Sequence, residues 1–128
     1  VAQSLVAIAP ADVRQYWERI KEGLAVVRKR GPVNWIDEDV YANLKAGSAQ
    51  LFITEDTFVI CYPERMHDGM SLHIWIAYST HGNAVETYEP QLIEIAKGFG
   101  AIRLKCESAR NWEPKGYIPV STIYYKDI

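Results

Sequence analysis

Excess positive charge is what this 128-residue chain most plainly lacks. Its 14 lysines and arginines are outnumbered by 16 aspartates and glutamates, for a formal charge of −2. Proteins held on nucleic acid or on an anionic membrane need a basic surplus, so no nucleic acid and no membrane partner is expected. Long apolar runs are missing too: no stretch approaches the roughly 20 residues that cross a bilayer. Val1 to Ala9 is mildly apolar but has neither a basic leader nor an adequate signal core, so the expectation is a soluble, cytoplasmic protein. Cysteine is sparse. Cys61 and Cys106 lie far apart in strand-like runs without CxxC spacing, which reads as two buried free thiols in a reducing compartment. Glu64, His67 and Asp68 share a polar stretch, but no histidine pair supports zinc, so no metal is expected. A Gly-x-Ser-x-Gly elbow is absent, and with it the simplest hydrolase.

What the chain does have is apolar residues, 48% of the total, enough to fill the core of one domain over 1–128. Ser4 to Ala9 has the composition of a short strand. Asp12 is placed to cap a helix whose apolar positions Val13, Trp17, Ile20, Leu24 and Val27 share a face, and Gly31-Pro32 ends it. A shorter helix follows from Glu38 to Ala46, with Asp37 as its expected cap and Gly47 as its stop. The period then changes to two. Gln50–Thr54 and Thr57–Tyr62 read as a hairpin, Pro63–Met70 as an exposed polar loop, and Ser71–Tyr78 as a central strand with Leu72, Ile74, Ile76 and Tyr78 on one face. A helix through Val85, Tyr88, Leu92, Ile95 and Phe99 comes next; Pro90 implies that it kinks or begins near Glu89. Ile102–Cys106 alternates as a strand, Ser108–Lys115 is short and irregular, and Tyr117–Lys126 reads as a final strand. A crossover beside a hairpin makes a mixed sheet, so the class is α/β in the broad sense (α+β).

Between the central strand and its helix stands Ser79-Thr80-His81-Gly82-Asn83-Ala84. A strand that turns through small residues into a helix aims free N–H groups and the helix dipole at one place, which suits an anion such as phosphate. This hexapeptide, the later Ala96-Lys97-Gly98-Phe99-Gly100-Ala101 and the element order resemble the GNAT superfamily of acyl-CoA-dependent N-acetyltransferases. The resemblance implies a mixed, mostly antiparallel central sheet flanked by helices, with acetyl-CoA as cofactor and an amine as acceptor. It maps the family's Arg/Gln-x-x-Gly-x-Gly/Ala pyrophosphate loop onto Ser79–Ala84, so Gly82, Asn83 and Ala84 are implied cofactor contacts, while Ser79 replaces the leading Arg/Gln. It also implies that Ile76, Ala77 and Tyr78 line the cofactor, and that an N–H near Trp75–Ala77 meets the thioester carbonyl.

The chemistry implied is amine acylation, which needs a base and a proton for the departing thiolate. His73 and Glu107 are the candidate bases. The family's thiolate-protonating tyrosine stands four residues before a Gly-Phe pair; here Gly116-Tyr117 follows Trp112, and an indole is no acid at neutral pH. Tyr117, Tyr124 and Tyr125 are the candidate replacements. The expected function is a GNAT-like acyl-CoA-dependent N-acetyltransferase with a degenerate active site. The alternative is a non-catalytic GNAT-fold phage or prophage protein, of the cytoplasm or the virion, that binds a protein partner or forms a homo-oligomer in virion structure or assembly.

Overall fold

Runs of β-branched and aromatic residues between Gln50 and Ser79 form the middle of the sheet. The computed structural model describes residues 3–107, 112–120, 124 and 126–128. Its strands are β1 (Val6–Ile8), β2 (Gln50–Ile53), β3 (Thr57–Met66), β4 (Gly69–Ser79) and β5 (Ala101–Cys106), lying side by side in chain order. The first four are antiparallel neighbours. Helix α3 (Ala84–Gly98) carries the chain back along one face, so β5 runs parallel to β4. The sheet is therefore mixed and mostly antiparallel.

Helices α1 (Val13–Arg30) and α2 (Asp37–Ala46) cover the other face. Ile20 and Leu24 of α1 and Val40 and Leu44 of α2 pack with Leu51, Ile53, Phe58, Ile60 and Ile76 of the sheet. Burying each such side chain contributes about 1.5–3 kcal/mol. On the opposite face Val85, Tyr88 and Leu92 of α3 pack against Val59 and Ile74.

Several local expectations are corrected. Asp37 opens α2 instead of capping it; Ile36 holds the cap position, and its N–H donates to Asp39 Oδ2 at 3.0 Å. Asp12 makes no side-chain cap bond, because a one-turn helix at Pro10–Asp12 feeds straight into α1. Pro63–Met70 is not a loop: β3 and β4 extend through it and only His67 and Asp68 turn. Pro63 is tolerated because β2 ends opposite Cys61, which leaves an open edge where no N–H is required. Of the two alternatives for α3, the structure takes the start at Ala84 with Pro90 inside the helix. Tyr117–Val120 form no strand, and Pro119 would deny a ladder one donor; 121–123 and 125, with Tyr125 among them, lie outside the described residues.

The facing of β4 is the largest correction. Ile60 pairs with Ile76 but Cys61 pairs with Ile74, so Trp75 is an extra residue, a β-bulge. An extra residue inverts the alternation beyond it. Leu72 and Ile74 face α3, while Ile76 and Tyr78 pack on the α1/α2 side.

Candidate active site

The bulge coincides with the place where two strands part. β5 pairs with β4 from Met70–Ala101 to Ile74–Cys106 and no further, whereas β4 runs on to Ser79 against β3 alone. Past Ile74, the backbone groups of β4 that turn towards the β5 side have no ladder partner among the described residues, which is a strong demand for some other hydrogen-bonding group. The gap opens towards the start of α3.

The connecting loop is tightly wound. Thr80 N–H donates to the Asp56 carbonyl at 3.1 Å, Gly82 N–H to the Ser79 carbonyl at 3.1 Å, and His81 N–H to Ser79 Oγ at 3.2 Å. Gly82 and Asn83 take left-handed φ values of 73° and 56°, which turn the chain into α3. The Gly82 amide is thus occupied within the turn. The amides that remain for an anion are that of Asn83, without a backbone acceptor among the described residues, and those of the first helical turn from Ala84, which an α-helix leaves without internal acceptors. Glu86 in that turn pairs with Lys115, whose Nζ lies 4.7 Å from the Trp112 ring centroid. Trp112 packs against the α3-side cluster and meets Tyr117 edge to face at 5.1 Å.

Two buried polar atoms lack a hydrogen bond of good geometry among the described residues: His73 Nδ1, and Tyr117 Oη, which has only the Glu89 carboxylate nearby. His73 is only 4% exposed, flanked across the strands by Tyr62 and Lys105. Its ring centroid is 5.0 Å from that of Tyr62, and Nδ1 is 3.7 Å from Glu64 Oε2, beyond hydrogen-bond reach. Lys105 Nζ is bonded to both Glu64 oxygens, at 3.0 and 3.1 Å. Burial holds the imidazole below its ordinary pKa and Lys105 adds to the drop, while Glu64 and Glu107 oppose it. On the α3 side, burial pushes the Tyr117 phenol up to about 12, helped by nearby Glu89 and Cys106. Both cysteines are free thiols, but only Cys61 is buried as expected; Cys106, near the end of the β4–β5 pairing, is half-buried.

A cleft of about 410 Å³ lies between α2 and the β3–β4 pair, lined by Asn34, Trp35, Asp39, Asn43, Ser48, Tyr62 and Trp75. It runs from Asn34 and Trp35 in the α1–α2 loop to the bulge residue Trp75, and His73 is the cross-strand neighbour of its lining Tyr62.

No protein-family model matches the chain, and no curated protein matches it. Solved structures do. A ribosomal-protein-alanine N-acetyltransferase from Brucella melitensis biovar Abortus 2308 superposes with a TM-score of 0.68 at 14% identity, covering 98% of this chain and 100% of that one. A probable acetyltransferase gives 0.67 at 10% identity over 98% of both chains. An aminoglycoside acetyltransferase from an uncultured soil metagenomic sample, in complex with sisomicin, gives 0.64 at 11% identity over 96% of this chain and 95% of that one. The fold is the GNAT acetyltransferase fold.

On this GNAT fold the residues expected from the sequence fall into three places. Ile76, Ala77 and Tyr78 lie past the parting; Ile76 is buried, Ala77 packs on the α3 side, and the Tyr78 ring lies 5.7 Å from Phe58. Gly82, Asn83 and Ala84 lead into α3. His73 and Glu107 come close enough at the ends of the paired β4–β5 segment for the Glu107 charge to act on the imidazole. Tyr62, Lys105, Asp39 and Trp35 were missed. Nothing in the linear pattern marks them, since register alone brings Tyr62 and Lys105 to either side of His73.

Proposed function

We propose that the chain is an acyl-CoA-dependent N-acyltransferase. One observation carries the reading: β4 and β5 part at Ile74–Cys106, beside a bulge, and the gap leads to the amide end of α3. The residues present fit acetyl-CoA, because unpaired strand backbone past Ile74 suits a pantetheine arm and the first-turn amides from Ala84 suit its phosphates. When bound, that cofactor supplies an activated acyl group as a thioester. The chain's own residues then divide the work across the sheet. Neutral His73 takes the proton of the acceptor amine on the α1/α2 side, with Glu64 and Glu107 stabilising the imidazolium that forms. Tyr117, protonated throughout the neutral range, holds a proton at Oη near Cys106 on the α3 side and would be the group to protonate a leaving thiolate.

Acetyl-CoA at many times its dissociation constant should raise Tm by a few degrees. Gly82→Asp should remove that shift, because a carboxylate then stands against the phosphates; a Cβ there meets nothing within 4 Å, but φ of 73° strains any side chain, so the ligand-free Tm of the variant is the reference for its own shift. Differential scanning fluorimetry reads both, and a wild-type chain unmoved by millimolar acetyl-CoA ends the enzyme reading. A second reading, a non-catalytic GNAT-fold module in virion assembly or protein interaction, is favoured by Ser79 and Trp112 standing where the family has Arg/Gln and tyrosine. Its mark is a defined oligomer in sedimentation with no response to acetyl-CoA.

A further inference from the structure

The seven residues that line the cleft include three aromatic rings, one carboxylate, two amides and a hydroxyl, and no lysine or arginine. Asp39 uses Oδ2 to accept the Ile36 N–H, and its other oxygen has no partner among the described residues. Asn43 Nδ2 donates to the Asp39 carbonyl at 2.8 Å, and Ser48 Oγ donates to Asn43 Oδ1 at 2.8 Å, so the polar wall is held in place by its own bonds. Asn34 has no side-chain partner among the described residues. Trp35 already carries a cation on one face: the Arg28 guanidinium lies 5.6 Å from its centroid, anchored by an ion pair to Asp37. Tyr62 and Trp75, with centroids 6.1 Å apart and rings at 73°, form the corner nearest the bulge.

Aromatic faces attract cations through their quadrupole, and a carboxylate with a spare lone pair completes such a site. An anionic guest would find no positive lining residue and would meet Asp39 head-on. We propose that this cleft binds a small aliphatic amine without a carboxylate, as its ammonium ion, between Asp39 and the Tyr62–Trp75 corner, with Asn34, Asn43 and Ser48 serving its hydroxyl or second amino groups. Calling that amine the acyl acceptor rests on the transfer reading above; its binding does not. The ammonium cannot attack until it loses a proton, and the His73 ring lies beside the lining Tyr62, 5.0 Å between centroids.

The test uses three probes of one chain length: butane-1,4-diamine, 4-aminobutanoate and butanedioate, titrated into the wild-type protein with tryptophan fluorescence as the readout. The diamine should bind roughly tenfold or more tightly than the zwitterion, with no saturable response to the dianion. Rising ionic strength should weaken the diamine alone. Asp39→Asn keeps an oxygen for the Ile36 N–H and should weaken the diamine by roughly fivefold or more, with the fold checked by circular dichroism. Equal binding of the three probes, or no diamine binding at millimolar concentration, overturns the proposal. Acetyl-CoA is read separately by thermal shift: diamine binding without an acetyl-CoA shift keeps the cation site and sinks acyl transfer, whereas a shift without charge preference among the probes sinks the cation site alone.

Discussion

A buried histidine with an unpartnered nitrogen makes a fold sensitive to pH. His73 sits among Tyr62, Glu64, Lys105 and Glu107, and burial lowers its pKa from the ordinary 6.5. Below about 6.5 the unfolded chain takes up a proton that the folded chain resists, so stability contributed by the neutral ring is complete above that value. It is lost as the pH falls from there through the folded pKa. Tm should therefore drop on acidification from neutrality, and His73→Gln should flatten that slope; an unchanged slope would mean that the ring is charged, or solvated, in the native state. Any acyl-transfer rate should fall over the same range, because the protonated imidazole can no longer accept the amine's proton. Glycine at position 82 and small residues around it could be read as an anion cradle from the sequence. The folded loop qualifies that reading, since the Gly82 amide closes the turn and the usable donors lie further on, from Asn83.

Among the elements, α1 and the β3–β4 hairpin meet closely at Gly23. A Cβ there would lie 2.4 Å from Phe58 Cε2 and 2.8 Å from Tyr78 Cδ2, nearer than real contacts allow. Gly23→Ala gains helix propensity but forces the helix off the sheet, and overpacking of this kind costs about 1–3 kcal/mol, so the net effect is a loss measurable by urea unfolding. A stabilised variant would show that α1 can slide at no cost. Helices α1 and α2 and the crossover α3 were legible because their apolar residues recur at helical spacing, and β5 because it alternates cleanly. The bulge was not. Hydrophobic residues at 72, 74, 76 and 78 look like one face, and only the partner strand, by pairing Ile60 with Ile76 and Cys61 with Ile74, reveals that Trp75 breaks the run. Register in the same way brings Tyr62 and Trp75 to one cleft wall, which no linear spacing marks, whereas the turn into α3 is legible from Gly82 and Asn83. The polar residues from Glu64 to Asp68 misled in the other direction, because a strand with an open edge and one wet face tolerates charges as readily as a loop does.

For the molecule as a whole, protection should follow the sheet from its centre outwards. Val59, Ile60, Cys61 and Leu72 are fully buried, and ladder bonds flank β3 on two sides from Phe58 to Cys61 and β4 on two sides from Met70 to Ile74. Native-state hydrogen exchange should therefore be slowest there, approaching the global unfolding limit, and faster at the three-residue edge strand β1. Exchange also reports on the gap without any knowledge of the acceptor. Amides at 70–74 are already held by β3 and β5, so acetyl-CoA cannot protect them much further, while the gap-facing amides of 75–79 and the first-turn amides from Ala84 to Glu86 have room to gain. Acetyl-CoA should slow exchange in those two segments together. Slowing confined to one of them would mean that arm and phosphates are not bound as a unit, and slowing in neither, with the rest of the sheet protected as expected, would leave a GNAT fold whose parted strands serve something other than acyl-CoA.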